Sequence, residues 1–159
     1  MDAKSPFKDP VGLEAEFERC WPWLEAALAA FAYTHNDVVW PTHKKEHVLA
    51  LITNNLAFFW PSKTCAIVTY FVKYPTGLKQ HTTWLAGGEL KEIKRMTLHI
   101  EEWGRKQGCH MQFGYGREAW VRVLDGYKKH GTNRSKDLVL DHPSEWKNEQ
   151  GQALWTRPW

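Results

Sequence analysis

The sequence predicts an α/β (α+β) fold: a mixed central sheet with flanking helices, followed by an extended C-terminal arm. Three observations carry this. After Gly87-Gly88, apolar residues fall at Leu90, Ile93, Met96, Ile100 and Trp103, steps of three and four that place one stripe on a helix of period 3.6. From Cys65 to Val72 every residue but Thr69 is apolar or aromatic, the pattern of a strand covered on both faces. Beyond Gly108, the residues Cys109, Met111, Phe113 and Tyr115 alternate with His110, Gln112 and Gly114, which is strand period. Strand, crossover helix and strand in this order imply a right-handed βαβ unit with neighbouring parallel strands.

The elements follow in order. Residues 1–10 read as a flexible lead-in closed by Asp9-Pro10. Leu13, Phe17, Cys20, Leu24, Leu28 and Phe31 keep helical spacing. Pro22 lacks an N–H and biases Trp21 toward extended geometry, so two short helices or one kinked helix are expected. Thr42 is placed to cap a helix through Val48, Leu49 and Ile52 to Asn54-Asn55. Leu56–Trp60 is a short apolar run closed by Pro61-Ser62. Tyr74-Pro75-Thr76-Gly77 supplies a turn, and Leu78–Leu85 returns as a second strand, antiparallel to the first. A Gly-Gly turn then leads into the central helix, whose basic last turn Arg105-Lys106 and following Gly108 are C-terminal signals. Trp120, Val123, Leu124 and Tyr127 give a further helix its apolar face, and Leu138–Leu140 offers one last strand. The expected core comprises Leu90, Ile93, Ile100, Trp103, Met111, Phe113, Trp120 and Leu124.

Composition narrows the function classes. A chain of 159 residues is expected to form one domain, over residues 11–141, with a core that needs no staples. A net charge of +3 with acids and bases interspersed gives no footprint for specific nucleic-acid binding. Three cysteines, an odd number without zinc-like spacing, fit a reduced compartment better than a disulfide framework. The start MDAKSPFKDP has no signal-peptide core, and no apolar run approaches the ~20 residues of a membrane span. The expectation is a protein that is not secreted.

Residues 142–159 change character: they are polar, broken by Pro143, Gly151 and Pro158, and without helical or strand period. Alone they could not offset their ordering entropy. Ten tryptophans are a compositional oddity, and three of them, Trp146, Trp155 and Trp159, lie on this arm. They read as anchors for a partner surface, or else as rings folded back on their own domain.

The element order, with a Gly-rich turn at the head of the central helix, resembles the GNAT acyltransferase superfamily over roughly residues 13–140. More narrowly, WLAGGELKEI, IEEWGRKQGC, GREAWVRVLDGY and FFWPSKTCAIVTYFVKYP are similar to small GNAT-like proteins of tailed bacteriophages and prophages. The resemblance implies a cofactor loop at Ala86, Gly87, Gly88, Glu89 and Leu90, where backbone amides at a helix N-terminus would hold the pyrophosphate of acetyl-CoA. It also implies that the strand after the central helix splays from its neighbour, leaving a gap for pantetheine. The superfamily pattern asks for Gln or Arg, two residues, then Gly-x-Gly or Gly-x-Ala. This sequence departs from it, with no basic residue there and Glu89 where phosphate should sit, and a carboxylate repels phosphates.

Tyr127 stands near the position where the superfamily places a tyrosine that protonates the leaving thiolate, but it also continues the stripe of Trp120, Val123 and Leu124. Glu89 and Glu92 are candidate bases, or acids favoured by the helix dipole. His43 and His47, at i and i+4, share a helix face as zinc ligands do, but Lys44 and Lys45 between them oppose a dication, and no metal is expected. Cys65 and Cys109 read as inert packing residues, and Cys20 has no evident base. Gly114 and Gly116 lack the third glycine of a nucleotide fingerprint.

Two readings result. The first is a non-catalytic GNAT-like bacteriophage virion component, of the internal core or the head and tail connection. It would be made in the host cytoplasm, bind no cofactor, and meet other virion proteins in an oligomeric assembly. The alternative is an acetyl-CoA-dependent N-acyltransferase. The altered loop ranks the first above the second.

Overall fold

The computed structural model describes residues 4–35, 37–115, 122–131 and 136. The elements expected at Trp120 and at Leu138–Leu140, and the arm over 142–159 with Trp146, Trp155 and Trp159, lie outside the described residues.

The chain begins with helix α1 (Leu13–Leu28), whose buried stripe Phe17, Cys20, Leu24 and Leu28 has the three-and-four spacing of a single helical face. Pro22 lies inside it, so the expected break into two helices does not occur. Pro22 and Glu18, whose carbonyl loses its usual donor, are both exposed. The apolar stripe on the opposite face keeps the helix continuous. A 3₁₀ turn (Ala29–Phe31) leads to a small hairpin of β1 (Tyr33–His35) and β2 (Val38–Trp40). Helix α2 (Lys45–Thr53) is capped at Lys44 and not at Thr42: His47 Nδ1 accepts the Lys44 N–H at 2.9 Å, while Thr42 Oγ1 lies 3.0 Å from His43 Nδ1.

The central sheet is β3 (Phe58–Pro61), β4 (Cys65–Lys73), β5 (Lys79–Gly88) and β6 (Met111–Gly114), in that spatial order. The first three are antiparallel and β5–β6 is parallel, so the sheet is mixed, as expected. Helix α3 (Leu90–Lys106) makes the crossover. It ends where the sequence indicated: Gly108 has φ +82°, its N–H bonds the Arg105 carbonyl, and the Cys109 N–H bonds the Gly104 carbonyl, a Schellman cap.

Two apolar layers cover the sheet. On one face α1 and α2 pack through Phe17, Leu24 and Val48 onto Phe59, Val68 and Leu85. On the other, α3 packs through Ile93, Met96, Ile100 and Trp103 onto Trp60, Cys65 and Ile67. Cys65 and Cys20 are fully buried, and burial pushes the Cys20 thiol up to about 11. Cys109 is half-buried and precedes β6.

Several expectations are corrected. Leu90, placed in the core by its spacing, is 47% exposed, and the buried stripe of α3 begins one turn later, at Ile93. Gly87-Gly88 is not a free turn: both residues end β5, paired with Ala66 and Cys65. The described helical residues Arg122 and Val123 give way to a turn at Asp125 and Gly126, where Gly126 has φ +78°. Tyr127 therefore stands outside the helix. Within the lead-in, the Phe7 N–H donates to the Phe59 carbonyl at 2.8 Å, and the two rings meet edge to face.

Candidate functional site

The site begins where the described pairing of two parallel strands ends. Among the described residues β5 and β6 are matched from Gln80 and Met111 to Thr83 and Gly114, followed by a bond from the Tyr115 N–H to the Thr83 carbonyl at 3.2 Å. β5 continues to Gly88, but among the described residues no strand accompanies it on that edge. At this point β5 carries a bulge. Val68 faces Leu85 and Thr69 faces Thr83, which leaves Trp84 as the extra residue. A bulge bends the strand and re-aims side chains. Here Trp84 and the neighbouring Leu85 both turn to the α1–α2 face.

On the α3 face a cavity of about 840 Å³ opens between Ile67, Ala86 and Thr83 of the sheet, the Ile93–Arg105 flank of α3, and residues 124–131. Twelve residue steps of helix make this flank about 18 Å long. The far end is basic, with Arg105, Lys128 and His130 in the lining. Tyr127 lies in the wall and donates its hydroxyl to Glu101 Oε1 at 2.9 Å. Burial, followed by the Glu101 charge, raises its phenol above the ordinary tyrosine range, so it holds its proton.

The expected loop Ala86–Leu90 is laid out differently from a cradle of free amides. Ala86, Gly87 and Gly88 belong to β5 and pair with Ile67, Ala66 and Cys65. A Cβ on Gly87 would lie 2.3 Å from the Trp23 carbonyl oxygen, and one on Gly88 would lie 2.3 Å from that of Thr64. Both glycines thus serve close backbone packing. Glu89 is the N-cap residue of α3, its side chain is exposed, and its N–H is bonded to the Thr64 carbonyl. The open donors of a helix begin with its first turn, here Leu90, Lys91 and Glu92. Glu92 is paired with Arg95, and this pairing pulls its carboxyl below the usual range.

On the opposite face, rings gather around the bulge. Trp84 meets His43 at 4.7 Å and Tyr70 at 6.4 Å between centroids. Tyr115 meets Phe31 at 6.2 Å and Phe113 at 5.3 Å. Burial first, and then contact with Tyr115, pushes the Tyr70 phenol up to about 12. Burial and the nearby His47 lower His43, which favours its neutral form.

The structure brings Tyr127 to the cavity and places Glu89 at the head of α3, with no contact between them. His43 and His47 sit on one side of α2, 6.4 Å apart between rings, with His47 engaged as a cap. Sequence reasoning missed Glu101, whose partner is 26 residues away, and the cluster of Trp84, Tyr70 and Tyr115, whose members come from separate strands.

The four-stranded mixed sheet with helices on both faces is a GNAT-like fold. No protein-family model matches the sequence, and no curated protein matches it. Solved structures do. A Bacillus halodurans protein, solved as a tetramutant, is 13% identical with a TM-score of 0.56, over 84% of this chain and 99% of that one. An aminoglycoside antibiotic 6'-N-acetyltransferase from Acinetobacter haemolyticus is 12% identical with a TM-score of 0.51, over 86% and 98%. A ribosomal-protein-alanine N-acetyltransferase from Brucella melitensis is 8% identical with a TM-score of 0.51, over 77% and 94%. At these identities the likeness is one of fold.

Proposed function

We propose that the chain is an N-acyltransferase that takes an acetyl group from acetyl-CoA to an amine. The cavity along α3, walled by the β5 residues Thr83 and Ala86 at and beyond the end of the described β5–β6 pairing, carries this reading. The residues fit the cofactor in most respects. Ile67, Ala86 and Ile93 line an apolar channel suited to the pantetheine arm. The open first-turn amides of α3 and Lys91 are the groups that would face phosphate. Bound acetyl-CoA would supply an activated thioester carbonyl. Tyr127 is the hydroxyl in the cavity wall, and it would have to leave Glu101 to give its proton to a departing thiolate.

A thermal melt with acetyl-CoA tests this. Ligand at a hundred times its dissociation constant adds about 2.7 kcal/mol. The expected result is a raised melting temperature with acetyl-CoA and with coenzyme A. No shift with either would overturn the proposal.

One observation favours a second reading, a non-catalytic component of a bacteriophage particle docked through Trp146, Trp155 and Trp159. The Glu89 N–H is already bonded, and both loop glycines are taken up by packing. Under this reading acetyl-CoA leaves the melt unchanged, and truncation after Asp141 abolishes assembly into an oligomer or particle while the domain still melts cooperatively.

A further inference from the structure

Building on the acyl-transfer reading, we infer that the acceptor is a primary amine carried on a flat aromatic body, held against Trp84, Tyr70 and Tyr115 on the sheet face opposite the cavity. Tyr115 links the two sides. Its N–H bonds the Thr83 carbonyl at the end of the described β5–β6 pairing, it contributes to the cavity wall, and its ring stands among the aromatics of the other face. An acceptor resting on that face is therefore next to the gap through which a thioester would be presented.

The chemistry of the cluster selects the acceptor. Tyr115 is 41% exposed, and Trp84, Tyr70, Phe31 and His43 are all half-buried, so their surfaces are reachable yet partly dry. Trp84 lies beside Tyr70 because it follows Thr82, the partner of Tyr70, by two residues, and the bulge keeps Leu85 on the same face. His43, Phe31 and Phe113 stand beside the rings of Trp84, Tyr70 and Tyr115, so the surface is largely aromatic. Such a surface stacks a flat apolar body and attracts an ammonium through the ring faces. A polycationic or peptide acceptor calls instead for carboxylates to pair its charges.

In the transfer, the amine nitrogen forms a bond to the thioester carbonyl carbon while the carbon–sulfur bond breaks. The proton lost from nitrogen goes to the His43 imidazole, 4.7 Å from the Trp84 ring; the departing thiolate takes a proton from water to become a free thiol, and the imidazolium returns its proton to water, so no net proton is gained or lost. The products are an amide and coenzyme A, and no electrons are exchanged. Burial, which lowers His43, supports this role by keeping its lone pair available near neutral pH.

Two independent readouts test the inference on the full chain. Calorimetry with phenethylamine, without cofactor, should show saturable binding that Trp84→Ala weakens about tenfold and Trp84→Phe largely restores. Thiol release from acetyl-CoA should be faster with phenethylamine than with spermidine or an alanyl peptide, and His43→Gln should lower kcat about hundredfold with KM unchanged. Equal or greater activity with spermidine or the peptide, or phenethylamine binding untouched in Trp84→Ala, would overturn the acceptor assignment and leave the acyl-transfer reading standing. A failed thermal shift with acetyl-CoA would remove that reading by itself, and absent phenethylamine binding would remove the aromatic subsite whichever way the cofactor behaves.

Discussion

The Tyr127 hydroxyl is bonded to the Glu101 carboxylate at 2.9 Å, joining the turn after the last described helical residues to the middle of α3 across the candidate site. A carboxylate so close disfavours phenolate, and burial disfavours it further. The phenol should stay protonated throughout the folded range. Glu101→Gln should bring its titration down, read as phenolate absorbance with Tyr127→Phe as the blank. Tyr127→Phe should lower the rate of thiol release while leaving acetyl-CoA binding within about twofold. An unchanged rate would remove Tyr127 from the chemistry.

His81 makes stability depend on pH. It is fully buried, with Nε2 at 2.8 Å from Thr69 Oγ1, and Thr69 Oγ1 in turn accepts the Trp60 indole N–H at 3.0 Å. Burial drives the imidazole down to about 4, against the opposing pull of Gln112 and the Ile100 backbone. A folded-state value below the unfolded 6.5 means that the unfolded chain binds the extra proton. The contribution is therefore fully present above about pH 6.5 and lost as pH falls toward 4, on the order of 3 kcal/mol in total. Denaturant melts across that window should show the loss, and His81→Gln should flatten it.

Gly87 is a packing glycine. A Cβ there would lie 2.3 Å from the Trp23 carbonyl oxygen, a backbone atom that moves only with α1. Gly87→Ala should destabilise by about 1–3 kcal/mol, the range for overpacking a close contact. A substitution neutral in a denaturant melt would show that α1 and β5 separate freely.

Glu89 sets the charge at the head of α3. Removing one negative charge near phosphates should gain roughly 1 kcal/mol at a surface site, about fivefold in acetyl-CoA affinity. Glu89→Gln measured by calorimetry should show this gain, and it should shrink as salt is raised. An affinity unchanged at low salt would place the phosphates elsewhere.

How much of this was legible beforehand differs between elements. The α3 stripe, the β4–β5 hairpin and the Gly108 cap followed from the sequence alone, because periodicity, turn chemistry and capping are local and each residue reports its own neighbours along the chain. The continuity of α1 through Pro22 was not legible, since a proline's local cost is outweighed only by the packing of Phe17, Leu24 and Leu28 against a distant sheet. The same is true of Leu90, whose spacing fits the stripe but whose side chain is exposed at the first position of α3. Gly87 and Gly88 look like a phosphate loop in one dimension, and only the approach of the Trp23 and Thr64 carbonyls shows what their missing side chains make room for. The candidate site belongs wholly to tertiary structure. A bulge at Trp84 shifts register against β4, Tyr115 bonds Thr83 beside the cavity, and Tyr127 meets Glu101. Each depends on where separate segments meet, and no local pattern encodes such meetings.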